Sequence, residues 1–253
     1  MPTATLLTIP FSHYCEKARW ALDRARVPYV EKGHMPGFHR LAVRRTGSNR
    51  TSVPVLVVDG KTFGDSTDIL AYADRTASPE RKLYPQDPRV AAEVCAIEED
   101  LDETLGPHLR RAFYFHLLPE RRLVLELFST RTPLWQGAAL RIVYPRLRQV
   151  MESFMQIDPQ SAAQSFDEVQ RIFDGIEKRL ADGRPYLTGD RFTAADMTLA
   201  ALTAPAVRPD EHPAYMLAIE SLPPALAAAT REYGQRPIGA FVRRMYAEHR
   251  APN

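Results

Sequence analysis

Leu6-Leu7-Thr8-Ile9-Pro10-Phe11-Ser12-His13-Tyr14-Cys15-Glu16-Lys17-Ala18-Arg19 joins a strand-like apolar run, Leu6 to Ile9, to an amphipathic segment. That segment reads as a helix over Cys15 to Arg26. Two potential nucleophiles, Ser12 and Cys15, therefore fall at the mouth of a helix N-terminus. Unpaired main-chain N–H groups and the helix dipole there favour a thiolate or an alkoxide. The turn is a place to hold a sulfur anion.

Working outward, strand and helix signals alternate over the first 80 residues or so. Tyr29 to Lys32 reads as a second strand and Val53 to Val58 as a third. The third ends in Asp59-Gly60, a hairpin-turn signal, with Lys61-Thr62-Phe63 as the return strand. Asp65-Ser66 offers cap chemistry to a helix through Ile69, Leu70 and Tyr72. The stretch 33–52 shows no clean period. Thr76 to Pro88 is broken by Ser78-Pro79 and Pro85-Gln86-Asp87-Pro88 and reads as a linker.

Beyond that linker most of the chain reads as helix. Val90, Val94, Ile97, Leu101 and Leu105 recur at steps of three or four. Gly106-Pro107 is expected to kink or end that helix. Further stripes cover Glu120 to Thr130, Leu140 to Ile157 (with Pro145 inside) and Phe166 to Leu180. Thr193 and Asp196 form a variant capping box before another apolar run. Pro223-Pro224 marks the next boundary.

Composition narrows the function classes. A formal net charge of +2 sets up no strong field for nucleic acid or an anionic membrane. The Arg44-Arg45 and Arg50 cluster lacks the interleaved aromatics of a nucleic-acid platform and reads as a solvated face. No apolar run approaches the ~18 residues of a membrane span. Met1 to Thr5 shows no export signal, and the only two cysteines, Cys15 and Cys95, form no disulfide scaffold. A reduced cytoplasmic setting is therefore expected. No metal site is expected, because His13 has no second ligand pair at zinc spacing. Nothing sets His13 or His34 against a carboxylate, so no Ser-His-Asp triad is inferred.

Two later motifs each carry two readings. Val53-Pro54 is a plain trans proline at a strand edge, or a cis bond that turns Val53 main-chain groups toward a bound peptide. Asp65-Ser66 is a simple helix cap, or a zwitterion site. In the second case Ser66 and the helix N-terminus take a carboxylate and Asp65 takes an ammonium group.

A Ser-x-x-Cys at a strand-to-helix turn, a Val-Pro opening a later strand, an acidic-Ser pair opening the next helix and a Thr-x-x-Asp cap in a helical region occur in that order. The set resembles the cytosolic glutathione transferase family. The segment Phe11 to Arg19 is similar to its serine- and cysteine-type classes. The resemblance implies an α/β plus all-α fold: a thioredoxin-like glutathione-binding domain over 1–77, then an all-helical domain over 88–253. It implies glutathione as co-substrate, no metal, and a homodimer. Ser12 would donate a hydrogen bond to the glutathione sulfur, since a thiol of pKa ~8.5 is mostly protonated at neutral pH. Val53, with cis-Pro54, would pair with the cysteinyl part. Asp65 and Ser66 would hold the γ-glutamyl end. No cation directly precedes Val53, so Arg50, Arg45, His39 and Arg40 are the candidates for the glycine carboxylate.

Cys15 is either a small buried residue in the first turn or a low-pKa thiol that forms a mixed disulfide with glutathione. Cys95 is expected to be structural, and His13 a surface-loop residue or a base. For an apolar small molecule as second substrate, Tyr14, Phe113 and Tyr114 are the leading candidates, with Leu134, Trp135 and Tyr144 behind them. The functional expectation is conjugation of the glutathione thiolate to an apolar electrophile. The alternatives are a thiol transferase or reductive ether-cleaving or dehalogenating enzyme using Cys15, and a non-catalytic ligand carrier or scaffold.

Overall fold

The computed structural model describes residues 4–250. The extreme ends of the two expected domains, and Met1 to Thr3 of the segment read for an export signal, lie outside them. The opening apolar run forms β1 (Ala4–Thr8), and α1 (His13–Arg24) follows the turn. Then come β2 (Tyr29–Gly33), α2 (His39–Arg44), β3 (Val55–Val58), β4 (Lys61–Phe63) and α3 (Ser66–Thr76). The strands form one mixed sheet in the order β2-β1-β3-β4. β1 runs parallel to β2, with Leu6 opposite Glu31, and antiparallel to β3, with Leu6 opposite Leu56. Asp59 and Gly60 both have positive φ, 50° and 73°, the geometry of a tight two-residue hairpin turn. This βαβ-then-ββα unit is thioredoxin-like.

Two local expectations shift. α1 starts at His13, two residues before Cys15, so Ser12 is its N-cap. The patternless stretch holds α2, a short helix that buries only Val43 and so leaves no periodic trace.

The rest is helical: α4 (Pro88–Glu103), α5 (Leu105–Leu117), α6 (Arg121–Ser129), α7 (Leu134–Phe154), α8 (Pro159–Leu180), α9 (Ala194–Val207), α10 (Pro224–Gln235) and α11 (Pro237–His249). The chain breaks between α4 and α5, with Gly106 and Pro107 in the first turn of α5, where a missing N–H costs nothing. α7 begins at Leu134, ahead of the expected Leu140. Among the described residues no helix is long and apolar enough to cross a membrane.

α9 is the hub. Every residue in it except Pro205 is buried, as its nearly all-apolar composition requires. Asp196 fixes its start. The carboxylate accepts from the Thr193 N–H, the Thr193 hydroxyl and the Leu187 N–H, all at 2.8 Å. α1 and α4 both pack on α9, so the two halves share one core. Trp20 of α1 lies in it, 4.5 Å from the Tyr246 ring of α11. A second cluster joins α6, α7 and the end of α5. There Phe11 stacks on Phe128 at 4.6 Å and docks the β1–α1 turn on the helical half.

Candidate active site

The tetrad at the start of α1 sends its side chains in different directions. Ser12 caps the helix by backbone geometry alone. Its N–H donates to Ile9 O, its carbonyl accepts from Glu16 N–H, and its side chain makes no capping bond. The hydroxyl is hydrogen-bonded to the Cys15 thiol, and Ser12 lines a cavity of about 360 Å³ between the two halves. His13 and Tyr14 line the same cavity. Cys15 does not. It is fully buried, and burial pushes its thiol up to about 11 despite nearby Arg19. As placed, it offers no thiolate to the cavity.

α1 is held from behind by buried charge. Lys17 pairs with Glu98 at 2.8 Å and with Asp102. Glu16 accepts from Arg19 and from Arg250, each at 2.8 Å. Charges this deep need partners, and each of these has an ion-pair partner, although Asp102 Oδ1 and one Arg250 terminal nitrogen are left without a hydrogen bond. The result is a rigid seat for Ser12. Tyr14 adds a direct tie, its hydroxyl donating to Asp102 O at 2.7 Å. Burial raises that hydroxyl far above the ordinary tyrosine range.

His13 is not the surface histidine expected. It is buried, and burial, with Arg110 adding to it, lowers its pKa from 6.5 to about 3. It is neutral near pH 7, with its ring edge-on to Tyr14 at 4.5 Å.

The Val53–Pro54 bond is cis. Val53 lines the cavity, and its main chain lies before the β1–β3 ladder, which starts at Val55. Asp65, rather than Ser66, is the N-cap of α3 and accepts from Thr67 N–H at 3.0 Å. Ser66 is buried beside it. Arg50 meets Asp65 at 3.0 Å. The β3–β4 hairpin folds back on itself and brings its two flanks together, so Arg50 stands at the Asp65 end. Arg45 is exposed on the solvent side of this unit. His39 and Arg40 line the cavity near Thr51, Ser52 and Val53. Burial lowers the His39 pKa.

On the helical side, α5 presents Phe113 and Tyr114 to the cavity, and burial raises the Tyr114 hydroxyl to about 12. Leu134 and Trp135 point outward instead, 93% and 59% exposed. Tyr144 is core, donating its hydroxyl to Leu118 O. Cys95, expected to be structural, is exposed on α4. Sequence reading missed Arg110 of α5 and Arg208, just past the end of α9, both of which line the cavity. The only signal for Arg110 was its place within the apolar stripe Leu109, Phe113 and Leu117.

Comparison with known proteins agrees with this outline. The family profile for "Glutathione S-transferase, N-terminal domain" matches residues 6–81, and that for "Glutathione S-transferase, C-terminal domain" matches 159–231. Together they take in more than half of the chain. Among curated proteins none matches this sequence. Solved structures share the fold. A glutathione S-transferase from Xanthobacter autotrophicus Py2 aligns over 97% of this chain and 93% of its own, with TM-score 0.63 and 18% identity. A theta class glutathione S-transferase from Xanthomonas axonopodis pv. citri, with glutathione bound, aligns over 94% and 96%, with TM-score 0.59 and 21% identity. The beta-etherase LigF from Sphingobium sp. strain SYK-6 aligns over 95% and 98%, with TM-score 0.59 and 19% identity.

Proposed function

We propose a function from this premise: the chain belongs to the glutathione transferase family. It conjugates the thiolate of glutathione to small electrophiles with apolar bodies. Glutathione lies along residues 1–77, and the electrophile enters from the side of 88–253. Ser12 donates a hydrogen bond to the sulfur. The N-terminal N–H groups of α1 add to the field that keeps it deprotonated. Val53 pairs with the cysteinyl part. Asp65 and Ser66 take the γ-glutamyl end, and His39 and Arg40 take the glycine carboxylate. The relative from Xanthomonas axonopodis, which has glutathione bound, supports glutathione as the co-substrate.

The thiol proton leaves to solvent on binding. A sulfur lone pair then forms the C–S bond. Either a leaving group departs with its bonding pair, or a conjugated double bond takes up the pair and then a proton from water. Catalysis comes from thiolate stabilisation and proximity. We read the working form as a cytoplasmic homodimer.

One observation carries this reading. Ser12 opens onto a cavity with largely apolar walls, and its hydroxyl, unused as a cap of α1, exchanges its bond to the Cys15 thiol for one to the glutathione sulfur. The redox alternative has less support, since Cys15 is buried, off the cavity and protonated at neutral pH.

The test is steady-state turnover with a panel of electrophiles, alongside calorimetry with glutathione. Ser12→Ala is expected to cut turnover by roughly 10²-fold, the scale of one lost donor to a developing charge, with glutathione still bound. Equal turnover in both proteins removes Ser12 from the role. No binding at millimolar glutathione favours a scaffold.

A further inference from the structure

The cavity is electrostatically one-sided. Among the described residues three arginines line it, Arg40, Arg110 and Arg208, and no Asp or Glu does. Three histidines line it too, but burial lowers the pKa of His13, His39 and His212, so they are neutral near pH 7. The formal charges on the lining are therefore all positive, with Asp102 and Asp65 acting on Tyr14 from outside it.

They are not equally available. Arg208 donates to Leu217 O. Arg40 is exposed. Arg110 sits in the middle of the apolar face that α5 turns to the cavity, between Leu109 and Phe113. Its Nε is buried without a hydrogen-bond partner, and it forms no ion pair among the described residues. Its charge acts on His13, Tyr14 and Tyr114, so it lies near the turn that carries Ser12. A guanidinium keeps its charge at any working pH and offers five donors in a fork that fits a carboxylate. The Arg110 side chain is half-buried and its Nε wholly so; a buried donor without an acceptor is costly, and a ligand that brings the acceptor recovers the cost.

We propose that the electrophile admitted here is an amphipathic anion, a small apolar body bearing a carboxylate, and that Arg110 pairs with that carboxylate. The apolar body lies against Phe113 and Tyr114, and the reactive carbon faces the sulfur beside Ser12. The proposal rests on the transferase reading for its chemistry but not for its binding.

The experiment uses a nitroaryl chloride bearing a carboxylate and the same compound as its neutral carboxamide, at saturating glutathione. Wild-type protein is expected to show a higher kcat/KM for the carboxylate than for the amide. Arg110→Gln lowers that ratio about 10- to 100-fold, the worth of one charge-assisted hydrogen bond, mainly through KM. Arg110→Lys restores part of it. If Arg110→Gln slows both compounds equally through kcat, Arg110 serves the thiolate and the proposal is overturned. A ratio near one in the wild type overturns it as well.

A binding arm separates this from failure of the transferase reading. The chlorine-free nitrobenzoate and nitrobenzamide are titrated calorimetrically into wild type and Arg110→Gln. If neither chloride turns over but wild type alone prefers the benzoate, the anion site stands and the transferase reading falls. Equal affinities for benzoate and amide in the wild type sink the anion site.

Discussion

The Tyr14 hydroxyl donates to the Asp102 main-chain carbonyl at 2.7 Å, which fastens the turn that carries Ser12 to the last turn of α4. The bond exists because position 106 has no side chain. A Cβ on Gly106 would lie 2.1 Å from the Tyr14 oxygen and 2.7 Å from its Cζ. Both are far inside contact distance, so Tyr14 could not stay where it is.

Gly106→Ala is therefore expected to destabilise the protein, although alanine is the better helix former by ~1 kcal/mol. Overpacking and the lost hydrogen bond outweigh that gain and leave a net loss of about 1–2 kcal/mol. Urea unfolding at constant m-value reads the change. The turn should move with Tyr14, so turnover should fall too. A more stable, fully active variant would mean that the tie is not used.

Stability should fall on acidification. The buried His13 has its pKa lowered from 6.5 to about 3, so between those values the unfolded chain binds a proton that the native state does not. The stability is fully present above about pH 6.5 and is lost as pH falls toward 3. Glu16, held below its usual range mainly by Arg19 against the cost of burial, acts in the same direction at lower pH. His13→Gln cannot titrate and should flatten the slope. The check is the urea midpoint of both proteins from about pH 7.5 to about pH 4.5, with parallel curves as the contrary result.

Thiol chemistry should distinguish the two cysteines. Cys95 is exposed, whereas Cys15 is buried with its thiol raised to about 11. Alkylation of the native protein near neutral pH, read by peptide mass spectrometry, should label Cys95 and spare Cys15 until the protein unfolds. A glutathione adduct on native Cys15 would instead revive the redox reading.

The features legible in the sequence were those fixed by local chemistry. Asp59-Gly60 turns because two successive positive-φ residues are needed there. Asp196 caps α9 because an acid three residues past Thr193 reaches back to its N–H. The Ser12 turn showed itself as a strand running into an amphipathic period. The features that stayed hidden depend on packing between distant elements. On paper Ser12 leads as the residue at the sulfur, with Cys15 kept as the alternative. Only the fit of α1 against its neighbours sends one to the cavity and the other into the core. The pairing of Arg50, one of the cations named for the glycine end, with Asp65 was likewise hidden, because it depends on how the β3–β4 hairpin folds back. Arg110 showed only as a charge within the apolar stripe Leu109, Phe113 and Leu117, because a missing partner leaves no mark in a sequence.

The most direct measurement is the ionisation of the glutathione thiol on the protein, monitored by thiolate absorbance against pH in wild type and Ser12→Ala. Free thiol titrates near ~8.5. In wild type the bound thiol should titrate at least about one unit lower, and in Ser12→Ala it should return most of the way. A bound thiol that titrates alike in both proteins would contradict the claim that residue 12 keeps the sulfur charged.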